Sequence, residues 1–184
     1  MKSIKILKDD IYGLFSSDFN PAPEDTKVFG QRLAEHLFAR LTEQRSEPTL
    51  RMSNIGTPCN RKLWYSINRP SESEPLRPET RLKFLFGDIL EELLLWLAKL
   101  AGHHVEAEQE EVVIYGSSPS SEGEHAVRGH KDGYIDGVLV DCKSASSQGF
   151  SKFQSGSIGS DDPFGYIDQL NGYLFASQND GRLV

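Results

Sequence analysis

Two aspartates and a lysine stand close together in the stretch GHKDGYIDGVLVDCKSAS, from Gly129 to Ser146: Asp132, then Asp141, then Lys143. Carboxylates brought to one face bind a hard cation through oxygen, and Mg²⁺ in particular takes carboxylates together with waters and phosphate. An ammonium beside them can orient or help deprotonate a water molecule. A Lewis acid, an activated water and a positive charge near phosphorus are together what metal-assisted phosphodiester hydrolysis needs.

The local pattern predicts how these groups would meet. Asp136-Gly137 is a favoured two-residue hairpin turn between AVRGHKDGYI and VLVDCKSA, both of which alternate like strands. With that turn, Ile135 pairs with Val138, Tyr134 with Leu139, Gly133 with Val140 and Asp132 with Asp141. Side chains alternate faces, so Val138, Val140 and Cys142 are expected on the core side and His130, Asp132, Asp141 and Lys143 on the other. Two opposed carboxylates repel unless one is protonated or a cation sits between them. A polar hairpin facing solvent is the plainer alternative. Asp136 needs no further role, because the turn accounts for it.

The elements that must position this hairpin are helical. Phe29, Leu33, Leu37 and Leu41 recur every fourth residue, and with Val28 and Phe38 they predict an amphipathic helix over 25–45, with His36 in a surface or packing role. Residues 1–23 carry little pattern. Thr57 and Pro58 read as the cap and first turn of a short helix holding Arg61, Lys62, Leu63, Trp64 and Tyr65. A long helix is expected over 80–101, with Leu82, Leu85, Phe86, Ile89, Leu90, Leu93, Leu94 and Leu97 as its apolar stripe. Gly87 lies in its middle, where it costs about 1 kcal/mol relative to alanine. Four residues on, Glu91 shares its face, so another backbone or a metal could approach there. Otherwise Glu91 and Glu92 are polar-face charges. EVVIYG (111–116) reads as a strand and SSPSSEGE as a polar loop. His103, His104 and His125 read as surface residues without zinc-ligand spacing.

Composition narrows the class. The chain has 184 residues, a formal net charge of −7 and 26% charged residues, which describe an ordinary globule and argue against coating nucleic acid by bulk charge. Two cysteines, Cys59 and Cys142, make neither a disulfide framework nor a metal motif, so a reducing, cytoplasmic setting is expected. The N-terminus lacks a signal peptide's apolar core. ILEELLLWLAKL is interrupted by Glu91, Glu92 and Lys99, so no membrane association is expected. Against the negative total, residues 51–83 carry Arg51, Arg61, Lys62, Arg69, Arg77, Arg81 and Lys83 but only Glu72, Glu74 and Glu79. That is either a solvated surface or a phosphate-facing patch.

GHKDG followed by DCK resembles the PD-(D/E)XK nuclease superfamily, specifically its RecB-like exonuclease branch. Two further motifs of that branch are matched in order: Gly87-Asp88-Ile89-Leu90-Glu91 on the long helix, and Gln169 to Tyr173 in QLNGY. Asp162-Pro163 would start the last helix, and the four-residue spacing puts Gln169 and Tyr173 on one face. SNIGTPCNRKLWY also resembles an N-terminal segment of DNA-end-processing and CRISPR-adaptation nucleases of this branch.

The resemblance implies an α/β fold with a restriction-endonuclease-like core, a mixed sheet flanked by helices. Residues 80–184 would form that core, and 1–79 an N-terminal helical region contributing to a DNA groove. Glu91, Asp132 and Asp141 would be ligands of Mg²⁺ or Mn²⁺, with the Cys142 carbonyl a fourth, and Lys143 would activate water. Gln169 and Tyr173 would contact DNA or brace the site; His130 would touch phosphate or water, or pack. Arg61 and Lys62 become phosphate contacts. The Ser/Gly-rich run 144–160 would be a flexible loop or linker. Two cysteines cannot hold the iron–sulfur cluster of some relatives, so Cys59 is expected to be packed.

The activity implied is a divalent-dependent deoxyribonuclease acting at linear or single-stranded DNA ends in replication, recombination or repair, in a bacterial or phage-infected cytoplasm. The phage setting rests on family analogy and compactness. The alternative is a nuclease-like binding or regulatory module without turnover. Relatives add a strand and a helix after the Gln–Tyr helix, whereas this sequence ends at NDGRLV, in what reads as the next strand; a missing strand would expose a sheet edge.

Overall fold

The computed structural model describes residues 2–16, 18–42, 49–116 and 125–177. In chain order the elements are α1 (Leu7–Ser16), α2 (Pro23–Thr42), β1 (Leu50–Arg51), α3 (Asn60–Asn68), α4 (Pro78–Leu100), β2 (Val105–Glu106), β3 (Glu110–Gly116), β4 (His125–Lys131), β5 (Gly133–Ile135), β6 (Val138–Val140), α5 (Ser147–Ser155) and α6 (Tyr166–Ser177). They form a mixed α/β chain with two small three-stranded sheets, β1-β4-β3 and β2-β5-β6. Two compact units result, each assembled from three segments: Met1–Ser46, Leu76–Glu108 and Asp132–Ser144 in the first; Glu47–Pro75, Gln109–Lys131 and Ala145–Val184 in the second. The first 79 residues therefore contribute to both. The polar loop 117–124 and the strand expected near the C-terminus lie outside the described residues.

The first unit is built on α4. Proline at its first position fits the helix without a lost hydrogen bond, after Arg77 in extended conformation. At the other end His103 N donates to Ala98 O and Gly102 N to Lys99 O, a Schellman stop that delivers the chain to β2. Leu95, Ala98 and Ile135 form the core, with Ile4, Leu7, Val105 and Val140 packed around them. Residues 1–23, weakly patterned in sequence, supply α1 and a preceding 3-10 turn that join this core.

Periodicity gave the length of α4 correctly but not its buried face. Leu82, Phe86, Leu90 and Leu94 are exposed, while Glu92, only 2% exposed, is buried together with Leu95 and Ala98. Helix α2 keeps Phe29, Leu33 and Leu37 of its stripe half-buried, with Phe29 stacked on Trp96, and beside them it brings polar side chains to the acids of α4. Arg32 Nη2 and His36 Nε2 lie 3.0 and 3.1 Å from Glu92 Oε1, and Arg40 grips Asp88 with Nε and Nη2. Glu92 is thus no polar-face charge, and Val28, Phe38 and Leu41 of α2 stay exposed. Arg32 and Lys99 also clasp Glu108; burial opposes the ionisation of that carboxyl, but the two cations hold it below its ordinary range.

The hairpin register agrees with the sequence: Ile135 opposes Val138, Tyr134 opposes Leu139, and Gly133 opposes Val140. Asp136 (φ 52°) and Gly137 (φ 80°) have the positive angles of a type I′ turn. The flanking strands are shorter than their alternation predicts. AVRGHKDGYI is two strands interrupted at Asp132, where Gly133 has φ 150° and any Cβ would sit 3.0 Å from Glu106 O. The last strand ends at Val140 rather than running on to Ala145. Val138, expected in the core, is 45% exposed.

In the second unit, β4 pairs in parallel with β1 and antiparallel with β3. Met52 is its packing centre: it is fully buried between Gly129 of β4 and Gly172 of α6, either of whose added Cβ would strike it. Helix α3 begins at Asn60, not at Pro58, and Thr57 does not cap it; its N-cap, Cys59, is exposed rather than packed. The run 144–160 is largely helical. Ser146 caps α5 by accepting from Gly149 N, and Gly156 in left-handed conformation ends it. Helix α6 starts at Tyr166, three residues beyond Pro163, and Asp162 caps it at a distance by accepting from Ile167 N at 2.7 Å. Those backbone bonds outweigh burial and lower the Asp162 pKa.

Candidate active site

Glu91, Asp132, Asp141, Cys142 and Lys143 all fall in the first unit. The β5–β6 ladder stops at Gly133 and Val140, one pair short of opposing Asp132 and Asp141. Asp132 Oδ2 instead accepts from Cys142 N at 2.5 Å, which closes the open end of the hairpin. Lys143 Nζ donates to Asp141 Oδ1 at 2.8 Å. The three groups are therefore linked through adjacent backbone rather than through one cross-strand pair.

The electrostatics show the acids acting on one another. Asp132 is 7% exposed, and burial first, then the charge of Asp141, push its pKa up to about 6 against the opposing pull of the Cys142 N–H and Lys143. The Cys142 thiol is pushed up to about 12 by burial and then by Asp132, Glu91 and Asp141. Three carboxylates from two parts of the chain thus raise the same thiol. It stays protonated, which leaves the Cys142 backbone as its contribution to the site. Glu91 comes from the middle of α4. A Cβ at neighbouring Gly87 would meet only Ser144 Oγ, at an ordinary 3.9 Å, so this glycine is not demanded by a close backbone approach.

A hard-oxygen donor set suits a divalent cation, and an ionisation-resistant aspartate beside a second one is the arrangement such a cation would relieve. Among the described residues no group of three or more His, Cys, Asp or Glu side chains is placed to hold a metal ion.

The remaining expected residues lie in the second unit. Gln169 and Tyr173 are buried: Gln169 Nε2 donates to Tyr173 Oη at 3.1 Å, and Tyr173 Oη donates to His130 O at 2.8 Å. The pair fastens α6 to the strand that leads into Asp132. His130 is exposed on β4 opposite Glu111, and Arg61 and Lys62 are exposed on α3.

Sequence reasoning missed a second charged centre in the first unit. His103, expected at the surface, is buried, with Nδ1 2.6 Å from Asp136 Oδ2 and Nε2 3.2 Å from Asp10 Oδ2. Asp136, expected to serve only the turn, also accepts from His104 N at 3.1 Å. Burial disfavours its charge, but the bonds from His103 and His104 prevail and lower its pKa. His104 itself is exposed, as expected, and the His125 side chain lies outside the described set. No signal in the sequence marks the His103–Asp136 pair, whose members are 33 residues apart.

No family model, no curated protein and no solved structure matches this chain. Among the described residues no helix is long and apolar enough to cross a membrane.

Proposed function

We propose that this chain is a divalent-metal-dependent DNA nuclease with a restriction-endonuclease-like core, acting at DNA ends. The observation that carries the reading is the Asp132–Asp141–Lys143 cluster: a buried carboxyl raised to about 6 beside a second carboxylate that Lys143 grips, with the charge of Glu91 reaching the same Cys142. Glu91, Asp132, Asp141 and the Cys142 carbonyl would hold Mg²⁺ or Mn²⁺. The ion would supply Lewis acidity at the scissile phosphate. Lys143 orients the attacking water and adds positive charge beside the phosphoryl oxygens. Water oxygen bonds to phosphorus and gives up a proton to bulk solvent, the P–O bond to the leaving sugar oxygen breaks, and that oxygen takes up a proton from solvent. Gln169 and Tyr173 brace β4 from within their own unit.

The test is digestion of end-labelled linear DNA and closed circular DNA with Mg²⁺, Mn²⁺ or EDTA, comparing wild type with Asp141→Ala. Divalent-dependent loss of linear DNA alone, absent in the variant, is expected. A well-folded protein that cleaves nothing with either metal would favour the nuclease-like binding module.

A further inference from the structure

Helix α3 carries surface that neither the unit's core nor the proposed chemistry accounts for. It rests on Leu63 and Ile67, half-buried and four residues apart, and turns nearly everything else outward. Trp64 is 50% and Tyr65 42% exposed, their ring centroids 5.1 Å apart and their planes at 84°. The Arg61 guanidinium lies over the Tyr65 ring, 5.8 Å from its centroid. Single exposed aromatics are unremarkable. Two adjacent ones amid cations are a different case. From residue 48 to 71 the sequence has Arg51, Arg61, Lys62 and Arg69 and no aspartate or glutamate, in a chain whose total is −7; Arg69 pairs with Glu72 just beyond, at 2.7 Å, which leaves Arg61 and Lys62 as the cations of α3 itself.

We infer that α3 is a stacking platform for single-stranded DNA, with Trp64 and Tyr65 taking base faces and Arg61 and Lys62 taking phosphates. The inference rests on the nuclease reading and names the strand form it would admit. Charge complementarity selects a polyanion and confines it to this face, since the chain as a whole repels one. The aromatics then select among polyanions. Every base has a π-face, but in a duplex those faces are covered by neighbouring bases; only an unpaired strand offers them to an indole or a phenol. The arginine over Tyr65 leaves the ring positioned and adds cation–π attraction.

The experiment uses the full chain in EDTA, where turnover is blocked. Tryptophan fluorescence and anisotropy of a labelled oligo-dT are followed, with a duplex of equal length as competitor. The chain has two tryptophans, Trp64 and Trp96, and Trp96 is stacked on Phe29 with ring centroids 4.6 Å apart. Oligo-dT is expected to quench the fluorescence and to bind in preference to duplex. Trp64→Phe should abolish most of the quench yet keep binding by anisotropy. Trp64→Ala should weaken binding about tenfold, and Lys62→Ala should flatten the logarithmic salt dependence by roughly 0.7. Unchanged affinity in Trp64→Ala, or duplex bound as tightly as oligo-dT, would overturn the platform. The nuclease reading fails separately: loss of Mg²⁺-dependent cleavage with oligo-dT quenching intact removes the enzyme and leaves the platform, whereas cleavage with no effect of Trp64→Ala removes the platform and leaves the enzyme.

Discussion

Asp132 Oδ2 accepts a hydrogen bond from Cys142 N at 2.5 Å, across the point where the β5–β6 ladder has already ended. That single bond ties the first acid of the cluster to the backbone between the second acid and the lysine. It favours the charged form of Asp132, yet burial and the nearby Asp141 prevail and leave the carboxyl at about 6.

Because its native pKa is raised from 3.8 to about 6, Asp132 favours the folded state when protonated. That contribution is present below about pH 4, fades as pH rises towards 6, and is replaced at neutral pH by the full cost of burying the charge. Asp132→Asn is therefore expected to raise thermal stability at pH 7–8, by up to about 3 kcal/mol, while abolishing cleavage. The gain should shrink to nothing as pH falls to about 4. Mg²⁺ should stabilise the wild type at pH 7 and leave the variant unmoved. Melting curves across pH with and without the metal measure both; a variant less stable than wild type at pH 8 contradicts the account.

Lys143 donates to Asp141 with its own side chain 26% and that of Asp141 8% exposed, so its removal takes a cation from a largely buried carboxylate and should cost the fold about 1–3 kcal/mol. Its position beside the two acids gives it the water-orienting role. Lys143→Ala is expected to lose cleavage by at least about 100-fold while still folding cooperatively and keeping much of the divalent binding. Activity near wild type in a folded Lys143→Ala would sink the mechanism.

The buried His103–Asp136 pair fixes the hairpin turn to the end of α4. His103→Ala removes the partner of Asp136 Oδ2, while Oδ1 keeps its bond from His104 N, and should cost about 1–3 kcal/mol by denaturant unfolding. Asp136→Asn should recover part of that loss in the double variant, and the cycle then measures their coupling. The lowered pKa of Asp136 sets the pH behaviour. Its stabilisation is full above about pH 4 and is lost as pH falls through the native value, so wild type and Asp136→Asn should converge in acid. Additive losses with parallel pH profiles would show the pair to be uncoupled.

What the sequence made legible follows from how local each cause is. The hairpin register was readable because Asp136-Gly137 dictates its own turn and the flanking residues alternate. The length of α4 was readable from a long apolar run ended by Gly102. Its buried face was not, since the helix is apolar on most sides and the choice was made by Arg32, His36 and Arg40 on another helix reaching Glu92 and Asp88. The interruption at Asp132 was hidden because Gly133 fits an alternating pattern as well as it fits a φ of 150°. The role of Asp136 was hidden for the opposite reason: the turn already explained it, so nothing called for His103. The helix in the run 144–160 was masked by serine and glycine, which here cap α5 instead of loosening it.

One close approach in the second unit gives a test of the packing itself. Gly56, in the loop before α3, and Gly165, just ahead of α6, meet backbone to backbone. A Cβ built on Gly56 would lie 2.2 Å from Gly165 Cα and 2.8 Å from its carbonyl oxygen; one on Gly165 would lie 2.4 Å from Gly56 Cα. No side chain can give way there, so the backbone must move. Gly165 also has φ +72°, which a larger residue resists, whereas Gly56 has no such restriction. Gly56→Ala therefore isolates the steric term and should destabilise the protein by about 2–4 kcal/mol. Gly30→Ala, where an added Cβ meets nothing on a helix, should be neutral or stabilising by up to about 1 kcal/mol. Equal melting temperatures for the two variants would mean that the Gly56–Gly165 contact does not form in solution.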